Sequence, residues 1–283
     1  MGRLAPGREA KGIARLAALL LLLAVALLAG GCNGGRETDE ITFVMSMAID
    51  AAPGDQVRVT YRLARPTAMG AEAGKGGGER TSVLVSFTAS SVMATRDLLN
   101  SQVARTPNLS HVNAIVFGEE LARRGVGEIF GTFKRFREFR GSMFVFVAHG
   151  ATGEEILKSN NPPLERFIPR WVEGMMATMN QSGYYPRTFL HDFYAAMKGG
   201  SGSPHAALIG VNPRTGAEAA AGGLTAGEKT REYLPGGVAM EGGNPVIVLG
   251  TALFRGDRLV GALTSEESRM LNILRGQFDR GFL

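Results

Sequence analysis

"HVNAIVFGEELARRGVGEIFGTFKRFREFRGSMFVFVAHGATGEEILKS", His111 to Ser159, switches repeatedly between strand-like and helical patterning. HVNAIVFG is a compact apolar run of strand length, and EELARRG is a short helix stopped by Gly125. VGEIFGTFKRFREFR reads as a further helix, GSMFVFVAHG as a second apolar strand and ATGEEILKS as one more helix. Strands and helices alternating at this spacing predict an α+β fold, with mixed α/β layers around a central sheet.

Upstream, ITFVMSMAID is apolar and strand-like, AAPGD is a turn cluster and QVRVTYRLARP alternates with period two. Val57, Val59, Tyr61 and Leu63 share one face and Arg58, Thr60 and Arg62 the other, which predicts a hairpin with one wet face. TAMGAEAGKGGGER has no periodicity and reads as a loop, after which TSVLVSFTA returns to strand. Val92 to Val103 is helical, with Ser90 or Ser91 available as its cap. Downstream, NPPLERFIPRWVEGMMATMNQSG and TFLHDFYAAMK are helical, separated by YYPR, with Pro169 marking a start or kink. Two final strands flank Arg255-Gly256-Asp257-Arg258, and Thr264 to Glu267 form a capping box opening a last helix.

The N-terminus carries a different signal. Arg3, Arg8, Lys11 and Arg15 precede an unbroken apolar run from Leu16 to Ala29, shorter than the roughly 20 residues that span a bilayer. A basic flank, an apolar run of this length and small residues after it make a secretory leader, so the rest of the chain is expected to be exported. Ala29-Gly30-Gly31-Cys32 resembles the lipobox of bacterial lipoproteins, with Ala29 where leucine is usual. Cys32 is the single cysteine, and lipidation at Cys32 is the expected modification. Two acyl chains suit that task because burial contributes about 0.8 kcal/mol per CH₂ and one chain alone holds only marginally.

This gives a leader over 1–31, a polar tether over 32–40 and a mixed α/β domain over 41–210. A Gly/Ala-rich connection over 211–245 follows. The hairpin and helix of 246–283 complete the first module or begin the next.

The formal charge is +5, but the leader contributes four cations and one acid (Glu9), leaving +2 from Cys32 onward. That excludes the strong basic balance of a nucleic-acid binder. One cysteine supplies neither a disulfide framework nor a thiolate metal site. His111, His149, His191 and His205 stand at no ligand-like spacing, and His191 and Asp192, adjacent on a helix, are expected to point apart. Gly125 to Gly131 is one residue too long for a dinucleotide fingerprint, and Gly70 to Gly76 is one short of a P-loop. Arg255-Gly256-Asp257 is explained by a Gly-Asp turn between two strands. No catalytic residue, cofactor or metal site is expected.

Around FKRFREFR (Phe133 to Arg140), Phe130, Phe133 and Phe136 recur every third residue, ringed by Lys134, Arg135, Arg137 and Arg140. The aromatic stripe is expected to pack into the core beneath the following strand. A basic face leaning on anionic lipid or on a partner subunit is the competing reading.

Taken in order, several segments resemble the C-subunit lipoproteins of spore germinant receptors, the GerAC or Ger(x)C family. FVMSMAID is similar to that family's opening strand, closed by the acidic Asp50. LSHVNAIVFGEELARRGVGEIF matches through His111, Gly118, Glu119, Ala122, Arg123 and Gly125. KRFREFRGSMFVFVAHG matches through Arg135, Glu138 and Arg140, and GTALFRGDRLVGALTSEESRMLNIL resembles the late hairpin and helix. The chain departs from the family in keeping only Arg36 and Glu37 of the segment after the lipid cysteine, and in ending at Leu283 where members continue into a further domain. The resemblance implies a non-enzymatic subunit, anchored on the outer face of the spore inner membrane. It would work with two integral-membrane partners, one of them transporter-like, that respond to nutrient germinants. A solute-binding lipoprotein serving a transporter is the alternative, and it requires a cleft between two similar lobes. An envelope hydrolase would need a nucleophile or metal set that the sequence does not display.

Overall fold

The computed structural model describes residues 8–29, 40–65, 82–165, 167–199, 203–213 and 234–278. The residues up to Glu40 and the chain from Ile41 onward form separate units. The described part of the first includes α1 (Arg8–Ala29), on which Ile13, Leu16 and Leu19 to Leu23 are largely exposed. Among the described residues no helix is long and apolar enough to cross a membrane. Cys32 and its tether as far as Asp39 lie outside the described residues, as do the glycine-rich loop with its P-loop-like stretch and the greater part of 211–245.

From Ile41 the elements run β1 (Ile41–Ala51), β2 (Val57–Ala64), β3 (Ser82–Ala89), α2 (Val92–Gln102), β4 (Thr106–Asn108) and β5 (Ala114–Phe117). Then come α3 (Glu119–Arg124), α4 (Gly127–Arg135), β6 (Phe144–Ala148), α5 (Gly153–Ser159), α6 (Ile168–Ser182) and α7 (Leu190–Lys198). The chain closes with β7 (His205–Val211), β8 (Val246–Arg255), β9 (Arg258–Leu263) and α8 (Ser265–Leu274). Among the described residues nine strands join one sheet in the order β3-β2-β1-β5-β6-β7-β8-β9, with β4 beside the start of β1. β1, β5, β6 and β7 are parallel, and an antiparallel pair flanks them on each side. This is the expected α+β architecture, a mixed sheet between helices.

One face of the sheet carries Met47, Tyr61, Ile115, Phe117, Val145 and Phe254, covered by α2, α3, α4 and α7. The other carries Ala48, Val116, Phe146 and Ile209, covered by α5 and α6. Helix starts follow local chemistry. Ser91 Oγ accepts from Ala94 N at 3.2 Å, Pro169 lies in the first turn of α6, and Thr264 and Glu267 form their reciprocal capping box. Gly125 closes α3 at φ +128°, a backbone that a side chain rarely adopts.

Three expectations require correction. The hairpin's second face is not wet: Thr60 is fully buried and Arg62 is 5% exposed. The cause is α5, which lies about a hundred residues downstream and covers that face. Its Leu157 carbonyl accepts from the Arg62 guanidinium. The helix read through Arg140 ends at Arg135. Phe139 N donates to Phe136 O at 3.2 Å, so the chain turns there and swings Phe139 onto Phe133, with ring centroids 4.6 Å apart. Finally, His191 and Asp192 do not point apart: Nε2 lies 3.2 Å from Oδ1, both side chains being more than half exposed. His191 and Asp192 stand in the first turn of α7, where the imidazole stacks on Phe189 and meets the Gly141 carbonyl at 2.8 Å.

Candidate functional site

In an open sheet with parallel strands, ligands gather beyond the strands' carboxyl ends. Here that edge is formed by Asp50 on β1, Gly118 after β5 and His149 after β6. The sequence supplies the convergence directly: Ile49 pairs with Phe117 and Phe117 with Val147, so the residues that follow emerge together.

Asp50, 5% exposed, accepts from Gly153 N at 2.7 Å through Oδ1 and from Glu154 N at 3.0 Å through Oδ2. Thr152 Oγ1 accepts from Glu155 N at 3.2 Å, and Glu155 Oε2 accepts from Thr152 N at 2.7 Å. Every amide opening α5 therefore has an acceptor, two of them supplied from another strand. A Cβ on Gly118 would collide with Asp50 Oδ1 and come within 3.3 Å of its Cα, so glycine is needed there for close approach. Burial pushes the Asp50 carboxyl above its ordinary value, opposed by those two amides.

Beside it, Glu154 receives Arg58 through Nε at 2.5 Å and a second guanidinium nitrogen at 3.2 Å, Lys158 at 2.7 Å and Ser86 Oγ at 3.2 Å. The Arg58 hydrogen bond foremost, with Lys158, holds its pKa down at about 2. Glu119 accepts from Arg123 at 2.7 Å and lies 3.4 Å from His149 Nδ1. Both oxygens of Asp50 and of Glu154 are committed to donors already on the chain. Chemically the edge is a clamp that joins β1, β2, β5 and α5. Among the described residues no group of three His, Cys, Asp or Glu could hold a metal ion.

The pairing has a pH signature. Glu154 is held below its ordinary 4.5, so the stability it contributes is complete above pH 4.5 and disappears as pH falls towards 2. Asp50, raised by burial, acts in the opposite sense, its contribution declining as pH rises through its folded value. Glu154→Gln is therefore expected to flatten the acid limb between pH 4.5 and 2. Urea midpoints across that range check it, and a variant that keeps the wild-type fall contradicts it.

A second tie crosses the other side of the sheet. Asp257, in the β8–β9 turn, accepts from Gly127 N at 3.2 Å through Oδ2, and its carbonyl accepts from Val126 N at 3.0 Å. A Cβ on Gly125 or Gly127 would stand 2.8 Å from Asp257 Oδ2. The Arg-Gly-Asp stretch thus seats the start of α4, with Gly256 at φ +60° making the turn.

The family profile described as "Spore germination protein N-terminal domain" matches residues 34–211, more than half the chain. The chain belongs to this spore germination family. A second profile, "Spore germination B3/ GerAC like, C-terminal", matches residues 249–283. YfkR of Bacillus subtilis (strain 168), whose name assigns it provisionally to spore germination, is 25% identical over 261 residues, 91% of this chain and 60% of its own length. Spore germination protein GerQC of Bacillus cereus is 23% identical over 170 residues, 60% of this chain and 44% of its own length. The chain thus spans less than two thirds of the length of either relative. No solved structure matches it.

Of the residues that carried the resemblance to the spore germination family, Gly118 and Glu119 stand at the clamp. Ala122 is fully buried and Gly125 adjoins Asp257. His111 meets Phe43 edge-on at 4.7 Å. Glu138 accepts from Arg96 at 3.2 Å and from Leu109 N at 3.4 Å, whereas Arg135 and Arg140 are exposed. The role of Asp50 was not legible beyond its place at the strand end, and no local signal ties it to α5. For Asp257, the adjoining turn glycine marked a turn but not its partner helix.

Proposed function

We propose that this chain is a lipid-anchored, non-enzymatic subunit of a nutrient germinant receptor acting in spore germination. The observation that carries this reading is the family match over residues 34–211. Names of relatives from two Bacillus species point to the same process. A basic, then apolar, leader ending at Cys32 supports export and a diacylated N-terminus, with the body held at the outer face of the spore inner membrane. The subunit works with two integral-membrane partners. A non-enzymatic role accords with a carboxyl edge whose acids are occupied by structural donors. The solute-binding alternative has less support, because the strands from Ile41 onward join one sheet within one unit instead of two similar lobes.

Cys32→Ser is the direct test. The protein is expected to leave the membrane fraction of spores, to take up no labelled fatty acid, and to slow or abolish the response to at least one nutrient. Normal germination of spores lacking the gene with every nutrient tried would overturn the receptor role. Continued fatty-acid labelling of the serine variant would overturn the anchor.

A further inference from the structure

The basic side chains at the end of α4 and in the turn after it take no part in the clamp or the core. Lys134, Arg135, Arg137 and Arg140 are all exposed, and so is Phe136 between them, at 38%. Arg135, Arg137 and Arg140 have no acidic partner among the described residues. Lys134 lies over the Tyr194 ring at 5.2 Å, which leaves its charge uncompensated. The single acid of the segment, Glu138, is turned away to Arg96 and the Leu109 amide.

The shape is held from beneath. Phe133 and Phe139 are buried against each other, the Phe136–Phe139 turn is closed by a backbone bond, and Met143 N donates to Arg140 O at 3.3 Å. The cations and the phenyl ring therefore stand on a rigid base. Ordering them against a surface costs side-chain freedom only. An aromatic tip surrounded by uncompensated guanidinium groups matches the headgroup layer of an anionic bilayer, where each cation contributes roughly five-fold to the equilibrium. With a chain charge of only about +2 after the leader, this concentration of four cations in seven residues is a local feature.

We propose that the α4 C-terminus and the turn after it form a docking face for anionic phospholipid, with Phe136 entering the headgroup region. This rests on the lipid-anchored reading for bringing the bilayer within reach, and it adds a second, electrostatic contact that orients the body.

The test uses the full chain carrying Trp171→Phe and Phe136→Trp, bound to phosphatidylcholine vesicles with or without phosphatidylglycerol. With phosphatidylglycerol at low salt, the introduced indole should shift to the blue and be quenched by brominated lipid. Raising the salt, or omitting phosphatidylglycerol, should reverse both. Adding Arg135→Gln, Arg137→Gln and Arg140→Gln should lower the docked-to-undocked ratio on the order of a hundred-fold while leaving vesicle sedimentation unchanged. A chain that sediments with vesicles but keeps a solvent-exposed indole in every lipid overturns the docking face and leaves the anchor intact. A chain that fails to sediment with pure phosphatidylcholine vesicles overturns the anchor, and the indole response with phosphatidylglycerol then decides the docking face separately. Loss of germination in the triple variant with unchanged indole quenching would point to an acidic protein partner and overturn the lipid proposal.

Discussion

Asp50→Ala lowers the stability of the folded chain by about 2–4 kcal/mol, the largest loss expected from any single change at the sheet's carboxyl edge. The substitution leaves Gly153 N and Glu154 N without their acceptor at a site where Asp50 is 5% exposed. Each buried amide left unpaired costs about 1–3 kcal/mol, partly offset because the burial of a charge is relieved. Denaturant unfolding followed by far-ultraviolet circular dichroism measures the loss. Gly118→Ala should approach the same value by another route, since the new methyl group occupies the position of Asp50 Oδ1 and forces the carboxylate off α5. The two changes remove one interaction, so the double variant should be far less destabilised than the sum of the singles. Strict additivity would show that Asp50 does not hold α5.

Phe130→Ala is expected to cost about 3–5 kcal/mol, the range for a large aromatic removed from a core. Phe130 is 1% exposed and stacks on Phe193 at 4.9 Å, with Phe117 at 5.7 Å and Phe133 at 6.1 Å. Phe193 in turn meets Phe254 edge-on at 4.8 Å. The ring therefore joins α4 to β5 and α7, and through α7 to β8. Phe136→Ala, two periods along the same sequence stripe, should change stability by no more than about 0.5 kcal/mol. Thermal or denaturant unfolding of the pair gives the contrast. Equal losses would mean that the stripe continues into the core past the end of α4.

That contrast marks where local pattern stops carrying information. Phe130, Phe133 and Phe136 repeat at helical spacing, and the first two do enter the core as the spacing predicts. The third does not, because Phe139 competes for the place beside Phe133 and the backbone turns to deliver it. Likewise QVRVTYRLARP alternates as a half-wet strand should, yet Arg62 and Thr60 are covered. The same happens on α8, where Ser265, Ser268 and Asn272 are buried while Met270 and Leu274 are exposed. Ser268 pairs with Thr251 at 2.7 Å and Asn272 reaches the carbonyls of Gly183 and Tyr185, partners about 90 residues away in the last case. The candidate site was legible in part: Asp50, Gly118 and Glu119 stood out through the family resemblance, but their meeting with α5 did not.

By itself the sequence determined most of the strands and helices, their caps and turns, and the family, because each depends on neighbours within about four residues or on a motif in order. Only the tertiary structure decided which polar residues lie inside, that Asp50 crosses to α5, and where the basic stretch faces. The crossing of Asp50 to α5 follows from a contact between residues 103 positions apart. A hydrogen bond at that separation is specified by the sheet's order and register, and no periodicity along the chain encodes it.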